Sequence, residues 1–240
     1  MRHIFWAGDS TAATNKFATY PQTGIAQAFD RFTRTDVVVV NHAVNGRSTK
    51  SFIDESRLAA IYNDITEGDY LFIQFGHNDE KINDTSRYTD PHDEFVTNLG
   101  KFINVARNKK AYPLLITPVE RRLFDDEGNL KFSGHEEYVK GIFKAGEKFE
   151  VPVVDLYEVS REFLVKAGPE ESKKYYMNVE PGEYDWLPDG LKDNSHLKYE
   201  GAMLYAGFIA RKIEKLGNPY STLIADKEYL KETYNIEING

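Results

Sequence analysis

Residues 3–11 read His-Ile-Phe-Trp-Ala-Gly-Asp-Ser-Thr, an apolar run that ends in a glycine and short polar residues. A short apolar run closed by turn residues is typical of a strand covered on both faces. The glycine permits a tight exit turn. We therefore expect Ser10 to stand exposed just beyond the carboxyl end of this strand. Asp9, Ser10 or Thr11 could instead cap a helix.

The same alternation continues along the chain. Further strands are predicted at Asp36–Asn41, Tyr70–Phe75, Tyr112–Thr117 and Val151–Asp155, and amphipathic helices at Gln22–Phe32, Asp93–Arg107, His135–Phe149 and Tyr199–Leu216. Strands that alternate with helices predict a parallel sheet with helices on both faces. Ligands of such sheets bind outside the carboxyl ends of the strands.

Three predicted connections are longer than usual, namely Gly76–Pro91, Val119–Gly134 and Gly168–Ser195. Long loops at a sheet edge are often functional. The last one carries several aromatic residues, among them Trp186, which suit a lid or a wall that stacks on sugar.

Composition indicates one domain over residues 1–240, in which residues 217–240 form a surface extension. The chain has 240 residues, 41% of them hydrophobic, and a formal net charge of −8. Without a Lys/Arg-rich run, nucleic acid is not expected as a partner. The absence of cysteine excludes disulfides, thiolate zinc sites and cysteine nucleophiles.

The N-terminal apolar run is shorter than the core of a signal peptide, and no stretch reaches the roughly 18 apolar residues that span a bilayer. We therefore expect a cytoplasmic protein without a membrane partner. The sequence holds no Gly-x-Gly-x-x-G, P-loop or His-Glu-x-x-His motif, so no cofactor is expected.

Chemistry-bearing residues follow the strands at the same predicted edge. Gly46 follows the second strand and Asn78 the third, and Asp193 and His196 lie near the C-terminus, three residues apart. Together with Ser10 they supply a nucleophile, a base, a group that orients the base, and donors for an oxyanion. Each one singly could equally be a turn or cap residue.

In combination these residues resemble the SGNH (GDSL-type) hydrolases. The matching blocks are Gly8-Asp9-Ser10, then Gly46, then Gly76-His77-Asn78-Asp79, and finally Asp193-x-x-His196. The resemblance implies a flavodoxin-like three-layer α/β/α sandwich with a five-stranded parallel sheet, and ester hydrolysis without a metal. It also implies a triad of Ser10, His196 and Asp193, and an oxyanion hole formed by the backbone N–H groups of Ser10 and Gly46 and the amide of Asn78.

Finer features are similar to the rhamnogalacturonan acetylesterases. They are Gly8-Asp9-Ser10-Thr11, Gly46-Arg47-Ser48, Phe75-Gly76-His77-Asn78-Asp79 and Thr117-Pro118-Val119-Glu120-Arg121-Arg122. Ser195 departs from the threonine expected there, a conservative change. This resemblance implies removal of acetyl groups from pectin oligosaccharides, so the expected partner is a small, acetylated, acidic oligosaccharide.

Five residues are candidates for binding that substrate. A guanidinium fork matches a galacturonate carboxylate, which favours Arg47, Arg121 and Arg122, although each could simply form a surface ion pair. His77 and Trp186 complete the set.

Three alternatives stay open. A metal-dependent phosphoesterase could use His42, His77, Asp79, Asp193 and His196, although Gly-His-Asn-Asp inverts the order of its usual motif. A carbohydrate-binding protein could keep the fold without catalysis. Related hydrolases also cleave lipid esters and thioesters, and the fold does not distinguish among these substrates.

Overall fold

The centre of the structure, a computed structural model that describes residues 1–226, 228, 230 and 231, is a sheet of five parallel strands. Their spatial order is β2–β1–β3–β4–β5. The strands are β1 (Arg2–Gly8), β2 (Val37–Asn41), β3 (Tyr70–Gln74), β4 (Tyr112–Ile116) and β5 (Val153–Val154). This is the flavodoxin-like order, and the predicted fold class is confirmed.

Helices cover both faces of the sheet. They are α1 (Ile25–Phe29), α2 (Thr49–Asp54), α3 (Arg57–Asp64), α4 (Glu94–Asn108), α5 (Glu136–Phe149), α6 (Leu156–Glu171) and α7 (Tyr199–Lys215). Because successive strand residues point to opposite faces, Ile4 and Trp6 of β1 pack in one core with α1, α6 and α7. Phe5 and Ala7 pack in the other with α2 to α5.

Several elements differ from those predicted. The helix expected over Gln22–Phe32 is the short α1 followed by a 3-10 turn at Asp30–Phe32, and α2, α3 and α6 were not predicted. The expected loop Gly168–Ser195 contains the end of α6 and an antiparallel hairpin of β6 (Tyr176–Val179) and β7 (Leu191–Leu197). The polar sequence of β7 lacks the apolar alternation that identifies a strand.

Part of the segment 217–240, which was predicted as a surface extension, packs against the core instead. Tyr220, Leu223, Ile224 and Ala225 are buried, and Ile224 pairs with Thr33 beside the first core. Most of the remaining extension lies outside the described residues. No helix in the described part of the chain is long and apolar enough to cross a membrane.

Candidate active site

Ser10 follows β1 in a turn that Asp9 holds in place. The buried Asp9 carboxylate accepts hydrogen bonds from the Thr11 backbone N–H at 2.9 Å and the Thr11 hydroxyl at 2.8 Å. Burial raises the pKa of Asp9 to about 6, although these hydrogen bonds oppose the shift. A Cβ on Gly8 would stand only 3.0 Å from the Gln74 carbonyl oxygen, so the last residue of β1 must be small.

Three predicted residues converge at this turn. His196 Nε2 lies 2.9 Å from Ser10 Oγ, and His196 Nδ1 lies 2.6 Å from Asp193 Oδ2. With Nδ1 donating to the carboxylate, Nε2 is left to accept the serine proton. The structure therefore brings together a hydroxyl, an imidazole and a carboxylate in the arrangement that a nucleophile, its general base and a group that fixes the tautomer of that base require.

Electrostatics adjust both partners of the histidine–aspartate pair. The hydrogen bond that His196 donates to the Asp193 carboxylate raises the pKa of His196 above its ordinary value, against the opposing effect of burial. Burial acts to raise the pKa of Asp193, but hydrogen bonds from His196 and Ser195 outweigh it and hold that pKa at about 2. Asp193 is therefore a carboxylate whenever His196 is neutral enough to act as a base.

Arg122 supports the strand that carries the pair. Its guanidinium donates to Asn194 Oδ1 at 2.8 Å and Ser172 Oγ at 3.0 Å, and also reaches the Pro169 carbonyl. Its backbone N–H donates to the Asn194 carbonyl at 2.9 Å. Since Arg122 is buried and bonded to protein acceptors, the structure gives it this supporting position and not the predicted contact with a substrate carboxylate.

The predicted oxyanion donors are the backbone N–H groups of Ser10 and Gly46 and the side-chain amide of Asn78. Within the described part of the chain, the backbone N–H groups of Ser10 and Gly46 donate to no protein acceptor. Gly46 has φ 77°, a left-handed conformation that glycine adopts without strain. Asn78 donates one amide N–H to the Arg47 carbonyl oxygen at 3.2 Å, which leaves its second N–H available to a ligand.

Asp79 anchors the loop that carries Asn78. Its fully buried carboxylate accepts the backbone N–H of Thr49 at 3.0 Å, the Thr49 hydroxyl, and the Thr89 hydroxyl at 3.0 Å. The loop is thereby fastened to the start of α2. Burial raises the pKa of Asp79 to about 7, although the threonine hydrogen bonds oppose the shift.

Two other predicted substrate ligands have protein partners near the site. Arg121 donates to the Ser133 carbonyl at 3.0 Å and pairs with Glu80. Its positive charge opposes the upward shift of the His196 pKa but does not reverse it. His77 is only 6% exposed and packs edge-on against His135, with ring centroids 4.2 Å apart. Burial lowers the pKa of His77 well below its usual range, so this side chain is a neutral part of the interior and not a surface ligand.

Arg47 is more accessible. Its Nε donates to Glu55 at 3.0 Å and its Nη1 to the Asn45 carbonyl at 2.9 Å. About a third of the side chain is exposed. Arg57 pairs with the same carboxylate at 2.7 Å, so Glu55 would keep a cationic partner if Arg47 turned toward a ligand.

Trp186 belongs to an exposed aromatic ledge formed by Tyr20, Tyr184 and Trp186. The Trp186 indole N–H donates to the Tyr20 carbonyl at 2.8 Å, and the rings of Tyr20 and Tyr184 meet edge-on at 6.2 Å. Tyr20 is 45% and Trp186 38% exposed. Large, partly exposed rings held by hydrogen bonds present a firm apolar surface.

The aromatic ledge is connected to the segment that follows His196. The loop that carries the ledge forms an ion pair with this segment, in which Glu183 Oε1 lies 3.7 Å from Lys198 Nζ. Lys198 pairs with Gln22 and follows His196 by two residues in extended backbone. Residues two apart in extended backbone point to the same side, so the side chains of His196 and Lys198 point to one face.

An open cleft of about 560 Å³ lies beside Arg87, whose guanidinium contacts Asn78. It is lined by the 80–87 loop, including Glu80 and Arg87, and by Ser133 and Gly134. Sequence reasoning did not single out Arg87, because its partners become its neighbours only when the loop folds.

The residues proposed for a metal-dependent phosphoesterase do not converge. Asp79 is bound by threonines, Asp193 by His196, and His42 packs against Phe5 of β1. In the part of the chain that the structure describes, no group of three or more histidine, aspartate or glutamate side chains is arranged to hold a metal ion.

Comparison with known proteins gives consistent matches. The sequence model of the GDSL-like Lipase/Acylhydrolase family matches residues 7–202. The chain is 40% identical over 225 residues to the rhamnogalacturonan acetylesterase RhgT of Bacillus subtilis, covering 94% of this chain and 95% of that protein. It is 35% identical over 222 residues to the probable rhamnogalacturonan acetylesterase YesY of the same organism, covering 92% and 97% respectively.

Solved structures share the fold. A Bacillus subtilis protein superposes with a TM-score of 0.73 at 25% identity, over 91% of this chain but 58% of that longer one. The acetylxylan esterase Axe2 of Geobacillus stearothermophilus superposes with a TM-score of 0.62 at 15% identity, over 88% of this chain and 93% of its own.

Proposed function

The chain belongs to the GDSL-like lipase/acylhydrolase family and is a carbohydrate acetylesterase, and we propose that it deacetylates acidic rhamnogalacturonan oligosaccharides through an acetyl-Ser10 intermediate. The observation that carries the mechanism is the 2.9 Å contact between His196 Nε2 and Ser10 Oγ, with Asp193 behind the imidazole. The identity to RhgT along nearly the whole chain supports the substrate.

In the first step His196 takes the proton of Ser10 as Oγ attacks the acetyl carbonyl carbon. The carbonyl oxygen becomes an oxyanion that accepts N–H groups of Ser10, Gly46 and Asn78. Each such donor contributes on the order of 10²–10³-fold to the rate. His196 then gives the proton to the sugar oxygen, the bond between that oxygen and the acetyl carbon breaks, and the sugar alcohol leaves.

In the second step water repeats the attack on the acetyl-enzyme. His196 removes a proton from water, the hydroxide forms a bond to the acetyl carbon, and Ser10 Oγ leaves and regains the proton from the imidazole. Acetate is released. Asp193 stays ionised throughout and stabilises the imidazolium that forms in each step.

Two features, the aromatic ledge and the Arg47 guanidinium, suit an oligosaccharide. The aromatic ledge offers rings on which the apolar face of a pyranose can stack. Arg47, which directly follows Gly46, is the most accessible of the three predicted arginines and offers a guanidinium fork to a galacturonate carboxylate. The chain carries a net charge of −8, so an acidic ligand needs such a local cation.

The test compares acetate release from acetylated rhamnogalacturonan oligosaccharides and from neutral acetylated xylooligosaccharides. We expect wild type to deacetylate the acidic substrate, and Arg47→Ala to raise its KM about tenfold, the value of one charge-assisted contact, while the KM for the neutral substrate changes little. Arg57→Ala is the matched control, since Arg57 shares Glu55 with Arg47.

Two results would contradict the proposal in different ways. Equal changes of both KM values in Arg47→Ala would remove the role of Arg47. Failure of wild type to release acetate from any oligosaccharide, with faster cleavage of a lipid ester or thioester, would remove the carbohydrate substrate but keep the serine mechanism.

A further inference from the structure

Arg87 occupies a fixed position between the cleft and the proposed oxyanion hole. Its Nε donates to Asp84 Oδ2 at 2.6 Å, and its backbone N–H donates to the Asp84 carbonyl at 3.0 Å. These two bonds fold the loop into a short turn and hold the guanidinium by its Nε. Its Nη1 then donates to Asn78 Oδ1 at 3.3 Å.

This contact determines which end of the Asn78 amide faces which neighbour. A guanidinium only donates hydrogen bonds. It therefore favours the amide oxygen as its neighbour and disfavours the NH₂ group. At the other end of the amide, the Arg47 carbonyl oxygen can only accept hydrogen bonds, and it accepts one from Asn78 Nδ2 at 3.2 Å. Rotation of the amide by 180° would break both bonds and place donor against donor and acceptor against acceptor.

The same contact leaves one N–H of Asn78 unoccupied. Of the two hydrogens on Nδ2, one goes to Arg47 and the other has no acceptor among the described residues. A hydrogen bond to Oδ1 from a cation also polarises the amide and strengthens its N–H groups as donors. Arg87 therefore prepares the very group that the mechanism assigns to the oxyanion.

Arg87 also stands close to the second donor. A Cβ built on Gly46 would meet Arg87 Nη1 at 4.0 Å and no other atom within that distance. The guanidinium thus lies next to both residues that supply the outer oxyanion donors.

We propose that Arg87 is a positioning residue of the esterase, which holds the Asn78 amide in the orientation that donates to the oxyanion. The inference rests on the proposed oxyanion hole and does not depend on the sugar substrate. The ordinary interpretation of Arg87 is an ion pair with Asp84 that shapes a surface loop and contributes little to stability. The two interpretations differ in kinetics.

A double-mutant cycle with p-nitrophenyl acetate separates them. We expect Asn78→Ala to lower kcat on the order of 10²-fold, as loss of an oxyanion donor does. Arg87→Met, which keeps most of the aliphatic stem, should lower kcat about tenfold with KM changed less than about twofold, because only the transition state uses the donor. In the Asn78→Ala background, Arg87→Met should change kcat by less than about twofold.

A matched control excludes a general effect of losing an arginine ion pair. Arg34, at the opposite edge of the sheet, pairs with the exposed Asp36 at 3.8 Å. Arg34→Met should leave both kinetic constants at their wild-type values. Melting temperatures of all variants identify any that are destabilised.

The outcomes are distinct. Losses that multiply, so that Arg87→Met slows the Asn78→Ala enzyme as much as wild type, would overturn the positioning role. An unchanged kcat in Arg87→Met would do the same. An unchanged kcat in Asn78→Ala would overturn the oxyanion role of Asn78 and with it that of Arg87, while the Ser10 mechanism would stand.

Discussion

Of the residues that the structure describes, His196 alone contacts the Ser10 hydroxyl as a candidate general base. His196 Nε2 lies 2.9 Å away, and the imidazole is held from behind by a carboxylate whose pKa is about 2. A base of this kind works only when neutral. The acid side of the pH profile therefore reports the protonation of His196 together with that of the neighbouring Asp9, whose pKa burial raises to about 6.

We expect kcat/KM to fall toward acid pH, with a midpoint above the ordinary histidine value of about 6.5. The direction follows from the hydrogen bond of Asp193, which raises the pKa of His196. Asp193→Asn should move the midpoint to lower pH and reduce kcat on the order of 10³–10⁴-fold, because the tautomer is no longer fixed. A rate that is flat from pH 5 to pH 8 would contradict a histidine base.

Single residues differ in how far the sequence predicts them. Ser10, Asn78, Asp193 and His196 lie in short motifs that the sequence displays. In the structure the side chains of Ser10, His196 and Asp193 form a hydrogen-bonded chain, and the oxyanion role of Asn78 stays a prediction. Arg87 has no motif, since its contact with Asn78 forms only when nine residues of loop fold back. Arg122 was predicted from charge alone, and charge does not reveal burial.

At the scale of elements, Asp79 joins the loop after β3 to α2. Burial raises its pKa to about 7, against an ordinary value of 3.8. Between these values the folded state holds a proton that the unfolded chain has lost, so the contribution of this group is full below about pH 4 and is lost as pH rises through 7.

Asp79→Asn removes this titration. We expect the free energy of unfolding of wild type, relative to the variant, to decrease as pH rises from 4 to 7, by at most about 1.4 kcal/mol per pH unit. Urea unfolding of both proteins at several pH values measures the difference. A difference independent of pH would show that Asp79 is ionised in the folded state across this range.

The elements were predicted unevenly for physical reasons. The strands of the sheet are apolar on both faces, which the sequence displays directly. The β6–β7 hairpin is stabilised by backbone pairing, by Asn178, which donates to the Asp193 carbonyl at 3.2 Å, and by the long-range contacts of Arg122. Such tertiary contacts have no local pattern, so the segment was predicted as a loop.

At the scale of the whole molecule, the fold places the site. Parallel strands bring their carboxyl ends to one edge, and the segments after β1, β2 and β3 supply Ser10, Gly46 and Asn78 there. The parallel arrangement follows from the alternation that the sequence shows, whereas the flavodoxin-like order of the strands was implied by the family resemblance. The walls of the site, by contrast, depend on loops that pack against each other, and the sequence indicated only their length and composition.

The central claim is that Ser10 is the nucleophile of an esterase that needs no metal, and its most direct test is hydrolysis of p-nitrophenyl acetate by wild type and Ser10→Ala with a chelator present. The account predicts turnover by wild type and a loss on the order of 10³-fold or more in the variant. Equal rates for the two proteins, or loss of wild-type activity in the chelator, would contradict it.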